Sequence, residues 1–259
     1  MLRDKVISPK LEKLKKIREM DSSKLPSGLY PVSVPIGNML DITFRAVFIL
    51  KSCDAVICEE GPVGRSMLNS FNVNKPLYFL NEHSKPDEIK QLFEELLIRK
   101  EKAIAMISDA GTPCFADPGA ELVQLCHDYA VSVYPVPGAS SLMAALAASG
   151  LKCDKFIYYG FLSAKKEKRR EELKAVKNLP DYDLVFLDAP YRLMPVLTDM
   201  VDALGKKRKA ILFYKLTYPN QQIIRGTLEE IYQAAEKLPK GEFVLIIEKT
   251  HAERPKKHI

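Results

Sequence analysis

No stretch of the chain approaches the roughly 20 uninterrupted apolar residues that a bilayer-spanning helix requires. The N-terminus carries Lys10, Lys13, Lys15 and Lys16 with no apolar block behind them, which is not the pattern of a secretory signal, so a cytoplasmic protein with no membrane contact is expected. The five cysteines (Cys53, Cys58, Cys114, Cys126 and Cys153) are odd in number and form no CxxC pair. That argues against a disulfide framework and a zinc site and leaves reduced, structural thiols. Neither GxGxxG nor GxxxxGK[ST] occurs, so nicotinamide and nucleoside-triphosphate chemistry lack their main support. His83, His127, His251 and His258 are scattered, and no metal site is expected.

What is present is the composition of a folded protein: 259 residues, 47% hydrophobic and 28% charged, with a formal net charge of +6 that suits a polyanionic partner. Residues 1–28 read as an appendage and linker, an amphipathic Lys-rich stretch (Leu11, Leu14, Ile17) followed by Ser22, Ser23, Pro26, Ser27 and Gly28. From Leu29 onward, apolar runs near 29–34, 54–58, 103–107 and 131–136 predict strands, alternating with helical patterns near 42–52, 87–100 and 119–130. The second half predicts strands near 156–160, 183–188, 209–214 and 243–248 and helices near 140–149, 166–177, 191–204 and 228–238. Thr227 with Glu230 marks a capping box at the start of the last helix. Two α/β domains with parallel or mixed sheets are expected, 29–136 and 137–250, parted at the Pro135/Pro137 pair and Gly138, with a charged tail at 251–259.

Three Gly/Pro-rich loops each follow an apolar strand, where ligands bind in open α/β sheets. They are Pro35-Ile36-Gly37-Asn38, Ser108-Asp109-Ala110-Gly111-Thr112-Pro113 and Pro137-Gly138-Ala139-Ser140-Ser141. Glycine permits close backbone approach to a ligand, and Asp109 adds an acceptor for an amino group or a ribose hydroxyl. Each loop taken singly reads more readily as a tight turn; the three together favour a cleft.

These loops resemble successive signatures of the ribosomal RNA small subunit methyltransferase I family, a branch of the tetrapyrrole methylases. The first continues to Asp41-Ile42-Thr43 and Arg45-Ala46, the second to Asp117-Pro118-Gly119, and the third runs from Val136 to Ala148-Ser149-Gly150-Leu151. Gly160-Phe161-Leu162 with Lys165-Lys166, Arg225-Gly226-Thr227-Leu228 and Gly241 to Glu248 follow in the same order, so the similarity spans about 29–249. The resemblance implies a homodimer and S-adenosyl-L-methionine held between the two domains. It assigns Pro35, Gly37, Asp109, Gly111, Thr112, Gly138, Ser140 and Ser141 to the cofactor, with Leu187, Asp188, Ala189, Pro190 and Leu216 beside its adenine. The segments facing the acceptor depart from the family pattern at Cys58-Glu59-Glu60-Gly61-Pro62-Val63-Gly64, at Asp188-Ala189-Pro190-Tyr191-Arg192 and at Tyr218-Pro219-Asn220-Gln221-Gln222.

A ribose hydroxyl of small-subunit ribosomal RNA, free or in the ribosomal particle, is the acceptor that the resemblance implies. Its proton must leave as the oxygen attacks, and Glu59, Glu60 and His83 are the candidate bases. Carboxylates also cap helices, and that plain role is open to both glutamates. Lys165 and Lys166, and by the resemblance Arg192 and Arg225, are candidate RNA contacts, with Lys168, Arg169, Arg170, Lys256 and Lys257 adding basic charge; a solvated face is the readier explanation of the run 165–170, where Glu167 interrupts it. Two other readings keep the fold: methyl transfer to a tetrapyrrole or other small molecule, and a non-catalytic RNA-binding paralogue.

Overall fold

The computed structural model describes residues 25–115, 119–177, 179 and 181–250. Most of the N-terminal appendage, the Asp117-Pro118 pair and the tail with Lys256 and Lys257 lie outside them. The first sheet has four parallel strands, β1 (Gly28–Pro31), β2 (Ala55–Cys58), β3 (Leu77–Phe79) and β4 (Ala103–Met106), in the order β1-β4-β2-β3. Alternate residues of these strands point to opposite faces and both faces are covered, as in most parallel sheets. Tyr30, Val56 and Ala105 pack with Ile49, Leu50 and Leu68 from helices α1 (Phe44–Ser52) and α2 (Gly61–Ser70). Leu29, Ile57, Ile104 and Met106 pack with Phe93, Leu96 and Leu122 from α3 (Pro86–Phe93), its π-helical continuation Glu94–Arg99, and α4 (Ala120–Asp128).

The strand expected at 131–136 is present only in fragments. Val133 bridges Leu29 and Val136 bridges Val32, both in parallel, while Pro135 between them has no N–H to donate. Helix α2 was not expected from the sequence, since it opens on Gly61-Pro62 and contains Gly64. Proline suits the first turn, where the N–H has no partner anyway. Gly64 is required by packing: a Cβ there would lie 2.7 Å from Cys58 Sγ.

The second sheet is mixed. β5 (Phe156–Gly160) and β6 (Asp183–Asp188) are parallel, and β9 (Phe243–Ile247), β7 (Lys209–Tyr214) and β8 (Gln222–Thr227) follow antiparallel in the order β5-β6-β9-β7-β8. β8 has exposed, polar-interrupted residues on an edge, so its sequence gives little hydrophobic signal. One face packs on α6 (Lys166–Lys177), α7 (Leu193–Leu204) and α8 (Leu228–Ala235) through Leu173, Leu197, Met200 and Ile231. The other packs on α5 (Ser141–Ala148) through Leu142, Ala145 and Leu146. The capping box forms as expected, with the Thr227 N–H donating to Glu230 Oε2 at 2.7 Å and the Glu230 N–H donating to Thr227 Oγ1 at 3.2 Å.

A buried ion pair ties α6 to α7. Arg169 Nε donates to Asp199 Oδ2 at 2.8 Å, and Arg170 Nε donates to Oδ1 at 2.8 Å. Burial would raise the Asp199 carboxyl, but the bonds from Arg170 and Arg169 outweigh it and hold the group below the ordinary aspartate value. A depressed carboxylate contributes stability above its unfolded-state pKa and loses that contribution as pH falls through the folded value. Arg169→Ala should therefore destabilise the protein by about 3 kcal/mol at neutral pH, because one partner of a buried pair is removed. The loss should shrink as pH falls through the carboxylate range, measured as urea midpoints across a pH series; a cost that does not change with pH would contradict this account.

Candidate functional site

The three Gly/Pro-rich loops converge at the carboxyl ends of β1 and β4 and are stitched together through backbone and hydroxyl groups. The Val34 N–H donates to Gly111 O at 2.8 Å and the Gly111 N–H returns a bond to Val34 O at 3.2 Å. Ser33 and Thr112 share a hydroxyl hydrogen bond of 2.9 Å, and Thr112 Oγ1 donates to Ala139 O at 3.2 Å, so one threonine joins all three loops. Gly111 sits at φ 83°, where an L side chain is strained. Gly138 packs on the first loop, where a Cβ would fall 2.9 Å from Ser33 Cβ.

The first loop also meets the second half of the chain. The Asn38 N–H donates to Thr217 Oγ1 at 3.0 Å. A Cβ at Gly37 would lie 2.5 Å from Tyr218 Cδ2 and 2.8 Å from Leu216 O. Gly37 is thus the point at which the loop following β7 closes onto the loop following β1.

Between these loops opens a cavity lined by Gly111, Thr112, Ser140, Ser141, Leu187, Asp188 and Leu216, all expected from the sequence. Ile36 and Ala110 of the expected loops also line it, and Phe115, Phe161, Phe213, Tyr218, Glu242, Phe243 and Val244, none of them a candidate cofactor residue from the sequence, complete the wall. Phe243 and Val244 open β9 and Glu242 immediately precedes it. Because β9 runs antiparallel to β6 and β7, its amino end lies beside their carboxyl ends and reaches the cleft. The lining is acidic where charged, with Asp188 and Glu242 and neither lysine nor arginine.

Asp188 closes β6. Its Oδ1 accepts from the Ala189 N–H at 2.7 Å and pairs with Arg192 Nε at 3.2 Å, while its buried Oδ2 has no hydrogen-bond partner. Burial pushes this carboxyl above the usual range, opposed by the Ala189 N–H and by Arg192. Ser140 caps α5, accepting from the Met143 N–H at 3.4 Å. Pro35 is buried beneath the first loop, and Ala189 and Pro190 continue from Asp188 without lining the cavity.

The candidate bases are dispersed. Glu60 is the N-cap residue of α2, and its N–H donates to Asp109 Oδ1 at 3.4 Å. Burial raises the Asp109 carboxyl, opposed by the bond from the Glu60 N–H and then reinforced by the Glu60 charge, so the two acids meet beside the second loop. Glu59 borders a separate small crevice with Leu80, Ile107 and Ser108. His83 does not reach the cleft: it is 86% exposed and lies 3.6 Å from Glu82.

The expected RNA contacts divide similarly. Lys165 and Lys166 are exposed at the start of α6. Arg192 is committed to the protein: besides Asp188, its Nη2 donates to Leu162 O at 2.9 Å and to Ser163 O at 2.8 Å, and only 13% of the side chain is exposed. That leaves it little to offer a phosphate, and it acts as a clamp within the fold. Arg225 pairs with Glu248 at 3.0 Å and donates to Ser149 O at 3.2 Å, with 45% of its side chain exposed. The five cysteines are free thiols, and among the described residues no group of three or more His, Cys, Asp or Glu is placed to hold a metal.

Residues 28–232 match the family described as Tetrapyrrole (Corrin/Porphyrin) Methylases. A curated relative named ribosomal RNA small subunit methyltransferase I, from Halalkalibacterium halodurans, is 39% identical over 221 residues, 85% of this chain and 75% of its own. Relatives of the same name from Bacillus subtilis and Escherichia coli O157:H7 are 38% and 37% identical, spanning 87% and 85% of this chain and 76% and 77% of theirs. Among solved structures, a diphthine synthase superposes with a TM-score of 0.67 at 16% identity, covering 85% of this chain and 89% of that one. A uroporphyrin-III C-methyl transferase from Thermus thermophilus, complexed with S-adenosyl homocysteine, gives 0.61 at 16% identity, covering 85% and 97%. The converging glycine loops, the paired α/β sheets and these likenesses lead to one conclusion: the chain belongs to the tetrapyrrole methylase family and is a methyltransferase.

Proposed function

We propose that this methyltransferase uses S-adenosyl-L-methionine to methylate a ribose hydroxyl of small-subunit ribosomal RNA in the cytoplasm. The observation that carries the cofactor half is the cleft itself. Its glycines leave no room for side chains at Gly37 and Gly138, its charged lining is acidic and suits a sulfonium cation, and Asp188 Oδ2 is a buried acceptor awaiting a donor. The RNA half rests on the relatives' name and on the basic surface at Lys165 and Lys166.

In this reading the loops around Gly37, Gly111 and Gly138 hold the methionine and ribose parts, with Pro35, Asp109, Thr112, Ser140 and Ser141. Leu187 and Leu216 wall the slot for the adenine, Asp188 offers its unpartnered oxygen there, and Ala189 and Pro190 follow behind the wall. The cofactor, when bound, supplies an electrophilic methyl group. The residues of the chain hold the acceptor hydroxyl in line with that group, exclude water and take the hydroxyl proton. Glu60, whose backbone N–H bonds Asp109 of the second loop, is the preferred proton acceptor. We place the domain boundary at Val136-Pro137, between the fragments beside β1 and the loop that leads into α5.

A homodimer fits the exposed apolar surface of the 3-10 turn Met39–Asp41 and the start of α1, where Leu40 is 89% and Phe44 71% exposed. The double substitution Leu40→Glu, Phe44→Glu should yield a monomer by light scattering whose circular dichroism remains that of the folded protein, with a melting temperature lowered by the loss of association. A wild-type protein that is already monomeric would remove the dimer.

For the reaction, small subunits lacking the modification should accept labelled methyl from wild-type protein, with the label mapping to a ribose. Label confined to a base, or found only on small molecules, would refute the assignment. Gly37→Ala should weaken binding of S-adenosylhomocysteine at least tenfold in calorimetry, because the new methyl collides with Leu216 O as well as with the Tyr218 ring. Undiminished affinity would show that this contact does not shape the cofactor cleft.

A further inference from the structure

Phe161 lines the cleft yet leaves 49% of its surface exposed, and Phe115, another large aromatic of the same wall, is 36% exposed. The chain directs Phe161 there by a local device. β5 carries an irregularity between Tyr158 and Gly160, and Gly160 adopts φ 81°, a conformation L side chains rarely take, so the backbone turns out of the strand just before the phenylalanine.

The turn is then fixed from below. Arg192 Nη2 donates to Leu162 O and Ser163 O, and Arg169 Nη1 donates to Ser163 O at 3.1 Å and Ala164 O at 3.2 Å. The Ser163 N–H donates to Glu172 Oε2 at 2.8 Å. Two buried or nearly buried arginines, each with an aspartate partner, thus hold the carbonyls of a three-residue segment and present an aromatic face to the opening. Conformational entropy opposes ordering an exposed loop, and this degree of restraint indicates a position that must be kept.

We infer that Phe161 is a stacking platform for an unpaired base of the acceptor RNA, with Lys165 and Lys166 reaching the adjoining phosphates. The inference rests on the RNA reading above. The acceptor's ribose must enter the cleft to approach the methyl donor, so the attached base lies at the mouth, where Phe161 stands. An aromatic face takes any base by stacking, and lysines four and five residues further on supply the sequence-independent electrostatic part. The buried floor of Leu187, Leu216, Phe213 and Val244 is left to the cofactor.

The test uses the full-length protein, unmodified small subunits and three variants: Phe161→Leu, Phe161→Ala and Phe161→Tyr. Phe161→Leu and Phe161→Ala should raise KM for the subunits on the order of 10- to 100-fold, the range of a lost base–aromatic stack. Affinity for S-adenosylhomocysteine in calorimetry should stay within about twofold, and Phe161→Tyr should restore the wild-type KM. A parallel loss of S-adenosylhomocysteine affinity would make Phe161 a wall of the cofactor site and overturn the inference. Wild-type kinetics in Phe161→Leu would overturn it too, since shape without a π face would then suffice. Wild-type protein that methylates no RNA would overturn both this inference and the function on which it rests, whereas active wild type with indifferent variants overturns this inference alone.

Discussion

The site depends on a short patch of backbone pairing, the reciprocal Val34–Gly111 bonds with the Ser33–Thr112–Ala139 hydroxyl relay beside them. Each loop alone has polar backbone groups that would have to be satisfied by water. Joined, they satisfy one another and fix a concave surface whose shape no single loop encodes. Small residues are required for this: a side chain at Gly138 would strike Ser33, and Gly111 occupies a conformation that only glycine adopts readily. The glycines therefore matter for the approach of loop to loop as well as for the approach of loop to ligand.

A second constraint joins the two sheets. The loop after β7 reaches the loop after β1 through Gly37 and through the Asn38–Thr217 hydrogen bond, giving the cavity walls from both halves. Polar groups at this junction are used twice. Asp188 anchors Arg192 with one oxygen while the other remains unpartnered in the wall, and Arg192 in turn holds the Leu162–Ser163 turn. An arginine that sequence alone marks for RNA is consumed in orienting the aromatic beside the opening.

The strong hydrophobic runs made most of the fold legible from the sequence. The buried strands β2, β4, β6, β7 and β9 carry a near-continuous apolar signal and their covering helices an amphipathic one, and the three glycine loops follow the apolar runs at 29–34, 103–107 and 131–136. Where expectation and structure part, short length or a local sequence at odds with the tertiary role is the reason: β3 has three residues, and the strand expected at 131–136 is reduced to single bridges. α2 carries Gly61, Pro62 and Gly64, β8 is an exposed edge, and the segment 131–136 is interrupted by Pro135. The site was read from the ends of parallel strands, so the amino end of antiparallel β9 was lost, and with it Glu242 and Phe243. Strand direction is a property of the sheet, and the residues of β9 do not announce it. His83 illustrates the opposite error: a histidine just after a strand looks functional, yet the Asn81–Ser84 turn leaves it in solvent.

The Asn38–Thr217 bond spans 179 positions of the sequence, whereas the strands of the first sheet and the helices that cover it all lie between Gly28 and Asp128. During synthesis the first lobe has all its own elements long before the loop that completes the binding surface emerges. Assembly of the cleft is accordingly a late docking event governed by loop closure, separate from the collapse of either lobe. A nascent chain that ends before residue 216 lacks the segment that covers Gly37, so the binding surface exists only once both halves have been made.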